Sequence, residues 1–137
     1  MTDLVTLAEA RAHLRLDDPD TDGGPDDLWL HTFIPAVSEA VLGWLKDSWR
    51  AYQPELDTDG EPVLDTNGDP IPAVDTDGEF TPKWSVKAAV LVELASQFRF
   101  REGEGKDNVV PSADGHGYTL NKVSTALLTP LRRPTVA

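Results

Sequence analysis

The fold turns on one stretch: Pro25-Asp26-Asp27-Leu28-Trp29-Leu30-His31-Thr32-Phe33-Ile34-Pro35-Ala36-Val37-Ser38-Glu39-Ala40-Val41-Leu42-Gly43-Trp44-Leu45-Lys46-Asp47-Ser48-Trp49-Arg50. Proline suits the first turn of a helix, where its missing N–H costs nothing, and Asp26 and Asp27 favour the positive end of the helix dipole. Leu28, Ile34, Val37, Val41, Trp44, Leu45 and Trp49 recur at helical spacing, which predicts an amphipathic helix over about 26–50. Pro35 lies inside it. Proline removes one amide donor and disfavours helical geometry at Ile34, so the expectation is one kinked helix rather than a straight one. A helix with a single apolar stripe needs partners to cover it.

Those partners are legible on both sides. Thr6-Leu7-Ala8-Glu9 has the pattern of a capping box, Val5 is placed to staple onto the first turn, and Leu7, Ala10 and Leu14 follow at helical spacing. This predicts a short helix at about 7–15. Residues 17–24 hold four Asp, one Pro and two Gly and read as a solvated loop. Farther on, Val86, Val90, Leu94 and Phe98, with Ala89, Leu91 and Ala95 beside them, predict a helix over about 83–101, ended by Gly103 and Gly105. Leu120, Val123, Leu127, Leu128 and Leu131 predict a last short helix at about 120–130, and 131–137 reads as a tail. The expected fold class is all-α. It is a bundle of three to four helices in a single domain over 1–137, with a long acidic hairpin-like insertion between the second and third main helices.

That insertion, 51–82, carries three near-repeats: Leu56-Asp57-Thr58-Asp59-Gly60-Glu61, Leu64-Asp65-Thr66-Asn67-Gly68-Asp69 and Val74-Asp75-Thr76-Asp77-Gly78-Glu79. Asp-Gly and Asn-Gly favour type I′ turns. Pro62, Pro70 and Pro72 interrupt the apolar runs, so any strands are edge-like. From Glu55 to Glu79 there are nine acids and no base. The expectation is a protruding acidic arm outside the core, and Asp57, Asp59, Glu61, Asp65, Asp69, Asp75, Asp77 and Glu79 are its candidate partner-facing or channel-lining residues.

Bulk properties exclude several classes. A chain of 137 residues suits one domain. With 24 acids against 12 bases it lacks the clustered Lys and Arg of a DNA binder, and it suits a basic partner or a surface that repels DNA. There is no Cys, hence no disulfide, thiol nucleophile or Cys-based zinc site. The opening residues lack the basic and apolar regions of a signal peptide, and no unbroken apolar run is expected to span a membrane.

Catalytic and metal signatures are weak. An EF-hand loop needs Gly at position 6 and Glu at position 12. Placing Gly60, Gly68 or Gly78 at position 6 puts Thr66, Val74 or Trp84 at position 12. Solvated turns are the simpler reading, with weak calcium binding as the alternative. His13, His31 and His116 are scattered, with His31 expected to pack beside the stripe. No nucleophile elbow or phosphate loop is present. No enzyme, cofactor or metal is expected. Trp29, Trp49, Arg132 and Arg133 are candidate contacts with another subunit or a partner protein, because Trp and Arg are enriched at interface hot spots.

The order of these features resembles a known family. An opening of Leu4-Val5-Thr6-Leu7-Ala8-Glu9-Ala10-Arg11-Ala12-His13-Leu14-Arg15-Leu16-Asp17 and an Asp-rich loop come first. Asp26-Asp27-Leu28 follows, then Pro82-Lys83-Trp84-Ser85-Val86-Lys87-Ala88-Ala89-Val90-Leu91, Arg101-Glu102 and Leu127-Leu128-Thr129-Pro130-Leu131-Arg132. Together they resemble the gp6-like head–tail connector (adaptor) proteins of long-tailed phages. The resemblance implies a helical, non-enzymatic subunit of a ring of about twelve copies, closed by heterologous contacts. The ring joins the portal protein to a tail-side stopper or completion protein, and DNA passes through without specific binding. It also implies a chain made in the host cytoplasm and carried in the virion neck, without membrane contact. Pro35 and the acidic arm depart from the family pattern. The other readings are an acidic interaction protein that mimics DNA and a calcium-binding module.

Overall fold

The computed structural model describes residues 3–16, 25–100 and 120–132, with side chains at 25 and 100 excepted. Arg133 and the rest of the expected tail, the expected loop at 17–24, and residues 101–119 with His116 lie outside the described residues. Among the described residues four α-helices form the body: α1 (Leu7–Leu14), α2 (Pro25–Leu45), α3 (Trp84–Phe100) and α4 (Lys122–Leu128). Short 3-10 turns follow α2 at Ser48–Ala51 and α4 at Thr129–Leu131. The fold is all-α, as the periodicity predicts.

α1 starts at the capping box. The Glu9 N–H donates to the Thr6 hydroxyl at 3.1 Å, and the Thr6 N–H donates to the Glu9 carboxylate at 3.1 Å. Arg15, in the left-handed region at φ 57°, ends the helix. Glu9 also meets the Lys87 ammonium on α3 at 3.0 Å, so one carboxylate both caps α1 and ties it to α3. Burial alone would raise the Glu9 carboxyl. The Thr6 amide hydrogen bond and then Lys87 outweigh it and hold the group below its ordinary value of 4.5. A carboxyl depressed in the folded state contributes stability above the unfolded value and loses it as pH falls through the folded one. Substituting Glu9→Gln is therefore expected to lower the urea midpoint at pH 7 and to leave it nearly unchanged at pH 2. An equal loss at both values would rule this linkage out.

α2 runs unbroken through Pro35. Proline leaves the His31 carbonyl, four residues back, without its donor. His31 and Thr32 are exposed, so water can reach that turn. His31 is thus at the surface rather than tucked beside the core stripe. The helix ends at Leu45, short of the expected residue 50, because Lys46 takes φ 75°. The buried stripe is Leu30, Ile34, Val37, Val41 and Leu45. Leu28 is 62% exposed, and Leu30, which the sequence pattern passed over, takes its place. Over Asp26–Leu45 the helix has a mean hydropathy of 1.2, long and apolar enough to cross a membrane by length and composition. Such a run was not expected from the sequence. The central helix of a folded body has the same character, and α2 packs against both α1 and α3.

Val86, Ala89, Val90 and Leu94 are the inward face of α3. Glu93 lies on that face too, 1% exposed. Its carboxylate accepts from the Asn121 N–H at 2.8 Å at the start of α4. The Ser124 hydroxyl, also buried, donates to the Ala89 carbonyl at 3.2 Å. These bonds hold α4 on α3, and they explain why Ser124, not the 57% exposed Val123, faces inward. At the other end of the chain the buried Leu4 N–H donates to the Ser38 hydroxyl of α2 at 3.0 Å. Across the body, Arg11 of α1 grips Asp27 of α2 through two hydrogen bonds.

Candidate interaction surfaces

Residues 51–82 form three tight hairpins, each built around one near-repeat. In the first, the Asp57 N–H donates to the Glu61 carbonyl at 2.8 Å and the Gly60 N–H to the Asp57 carbonyl at 3.1 Å. The same pair of bonds recurs at Asp65 and Asp75. Gly60, Gly68 and Gly78 take φ of 81°, 83° and 79°, while the Asp or Asn before each keeps a negative φ. This is a type I turn followed by a glycine bulge, not the expected type I′ turn, which needs positive φ at both central residues. The reason lies in the first Asp. The Asp57 Oδ1 accepts from the Asp59 N–H at 2.8 Å and the Glu61 N–H at 3.0 Å. Asp65 and Asp75 do the same. The side chain thus closes the type I form.

The hairpins join through a closed ring of backbone bonds. Glu55 N–H donates to Ile71, Ile71 N–H to Val63 and Val63 N–H to Glu55, at 2.8, 2.9 and 2.8 Å. A stem attaches them to the body, with Gln53 N–H donating to Thr81 and Lys83 N–H to Ala51. The donors and acceptors of these inter-segment bonds sit at odd positions. Pro54, Pro62, Pro70, Pro72 and Pro82 sit at even ones, paired across in Tyr52–Pro82, Pro54–Pro72, Leu56–Pro62 and Leu64–Pro70. Proline therefore removes no donor that the arm uses. Opposed residues share a face and successive residues alternate. The even face then holds Tyr52, Pro54, Leu56, Pro62, Leu64, Pro70, Pro72, Val74, Phe80 and Pro82, all apolar. The odd face holds the acids around half-buried Val63, Ile71 and Ala73.

The arm is not wholly outside the core. Ala51 and Tyr52 at its base are buried in it, and the Tyr52 ring meets Phe80 at 5.1 Å. Burial raises the Tyr52 phenol above its ordinary value.

The predicted acids divide into two groups. Asp57, Asp65 and Asp75 spend a carboxylate oxygen on their own turns. Asp59, Glu61, Asp77 and Glu79 are exposed, and Asp69 is half-buried. Among the described residues no three His, Asp or Glu come together in a group that could hold a metal ion.

The predicted Trp and Arg contacts also separate. Trp29 is half-buried inside the body, stacked on Phe33 at 4.4 Å and edge-on to Phe98 at 5.3 Å. Trp49 lies at the far end of α2, with the Arg50 guanidinium 4.4 Å over its ring and its buried indole N–H unpartnered among the described residues. At 1.5 Å per residue, Trp29 and Trp44 at opposite ends of α2 stand roughly 22 Å apart. Arg132 does join the Trp49 corner. It lies 4.6 Å over the Trp44 ring, and Arg50 donates to the neighbouring Leu131 carbonyl at 3.2 Å. The start of the expected free tail is thus held against the end of α2. Lys83 shares this corner. Burial and then the Arg50 charge lower it from its ordinary value. Sequence reasoning placed Trp44 on the apolar stripe without pairing it with Arg132, and it missed Arg50 and the apolar even face. The last was visible as parity, since the prolines, leucines and Phe80 of the arm all fall on even numbers.

No family model matches the chain. No curated protein and no solved structure matches it either.

Proposed function

We propose that the chain is a head–tail connector subunit. In this reading about twelve copies close into a ring through heterologous contacts. The ring docks on the portal protein and joins the DNA-filled head to a tail-side stopper or completion protein in the virion neck. Its work is structural, with no catalysis and no cofactor. The reading rests on the order of sequence features along the chain. The observation that supports it best is the position of the two end motifs. The Leu4–Leu16 opening forms a capped helix tied to both long helices, and the Leu127–Arg132 close lies against the end of α2. The acidic surface suits a ring through which DNA must slide without being held, because phosphate contacts would slow it.

The test is sedimentation of the protein with and without the portal ring of the same phage. The expected result is co-sedimentation at close to one subunit per portal subunit. Two folded proteins that sediment apart would rule the reading out.

A second reading is an acidic protein that mimics DNA. It is favoured by one feature: the carboxylates stand on ordered turns rather than on a shapeless loop. It predicts competition with DNA for a basic DNA-binding protein.

A further inference from the structure

From the arm's two-faced construction we infer that its even face is a docking surface for another protein, one with an apolar centre ringed by Lys and Arg. Leu56, Leu64, Val74 and Phe80 are 57%, 55%, 60% and 48% exposed there. Exposed apolar side chains scattered singly are ordinary, but these are gathered on one face of one ordered element. The backbone maintains that gathering. The ring of bonds through Glu55, Val63 and Ile71 fixes the register, and a slip by one residue would turn acids onto the apolar face and prolines into the ladder.

Charge selects the occupant. Nine carboxylates and no base lie between Glu55 and Glu79, on the turns and on the opposite face. A second copy laid face to face would bring the acidic turns of its own hairpins against these acidic turns, which like-charge repulsion opposes. An anionic membrane is repelled for the same reason. A protein surface with Lys and Arg around an apolar patch satisfies both halves of the arm. It also gives the arm a task other than lining a channel, where exposed Leu and Phe would face water and DNA. This inference stands on the arm alone and does not require the connector reading.

The test uses the full chain and an amphipathic Leu/Lys helical peptide of about 18 residues, with a Leu/Glu peptide of the same pattern as control. Saturable one-to-one binding of the Leu/Lys peptide is expected. It should weaken about tenfold in a Leu56→Ser, Leu64→Ser double variant, and severalfold between about 0.1 and 0.5 M salt. These leucines are more than half exposed, so the variant should unfold at the same temperature as the parent, and circular dichroism checks this. Equal binding by parent and variant would reduce the attraction to charge alone and overturn the inference. So would arm-dependent self-association, or binding to neutral phosphatidylcholine vesicles in place of the peptide. Failure to bind the portal ring leaves these outcomes readable, so the two proposals fail separately.

Discussion

Replacing Asp27 with alanine is expected to lower stability by about 3 kcal/mol. The Arg11 guanidinium meets both carboxylate oxygens of Asp27, the bidentate geometry that makes such pairs strong. The side chains are only 19% and 7% exposed, so removing one partner takes a full opposite charge from the other at a place that water reaches poorly. The loss should sit at the lower end of the range for buried pairs, because Arg11 keeps some contact with solvent. Asp27 also lies in the first turn of α2, where a negative charge offsets the helix dipole, a smaller effect of about 0.5 kcal/mol. Urea unfolding of Asp27→Ala, Arg11→Ala and the double variant measures the coupling. A coupling energy above about 1.5 kcal/mol is expected. Additive losses would mean that the pair stabilises no more than an exposed surface bridge does.

Leu94→Ala is expected to cost about 3 kcal/mol, and Leu28→Ala less than about 0.5 kcal/mol. Both residues are leucines on long helices, and both sit on an apolar stripe when the sequence is read alone. Leu94 is fully buried on α3, the helix that packs against each of the other three. Truncating it removes transfer energy and leaves a cavity that the surrounding helices cannot fill without moving. Leu28 is 62% exposed, so truncation leaves no cavity. Comparable losses at the two sites would mean that α2 is rotated from the orientation described, with Leu28 rather than Leu30 inward.

How much of this was legible in sequence varies by element. The α1 cap could be read almost atom by atom, because a capping box is local and its partners lie three residues apart. α3 was legible because its apolar spacing is regular. The end of α2 was not, since Trp49 continues the apolar rhythm past the point where Lys46 turns the chain. The turns of the arm were placed correctly but typed wrongly. The dipeptide Asp-Gly suggests one geometry, and the Asp two residues earlier, bonding to two amides, selects another.

The sequence by itself determined the helical class, the four helical segments and the three turns, because each follows from periodicity or from residues a few positions apart. Tertiary structure alone decided what lies far apart in the chain. It chose Leu30 over Leu28, buried Glu93 against the start of α4, and brought Arg11 to Asp27 and Lys87 to Glu9. It also set Trp29 against Phe98 of α3, brought Arg132 over Trp44 and gathered the even residues of three hairpins onto one face. Local pattern says which residues want burial or a partner, but the crossing of the helices and the register of the hairpins determine which of them are satisfied.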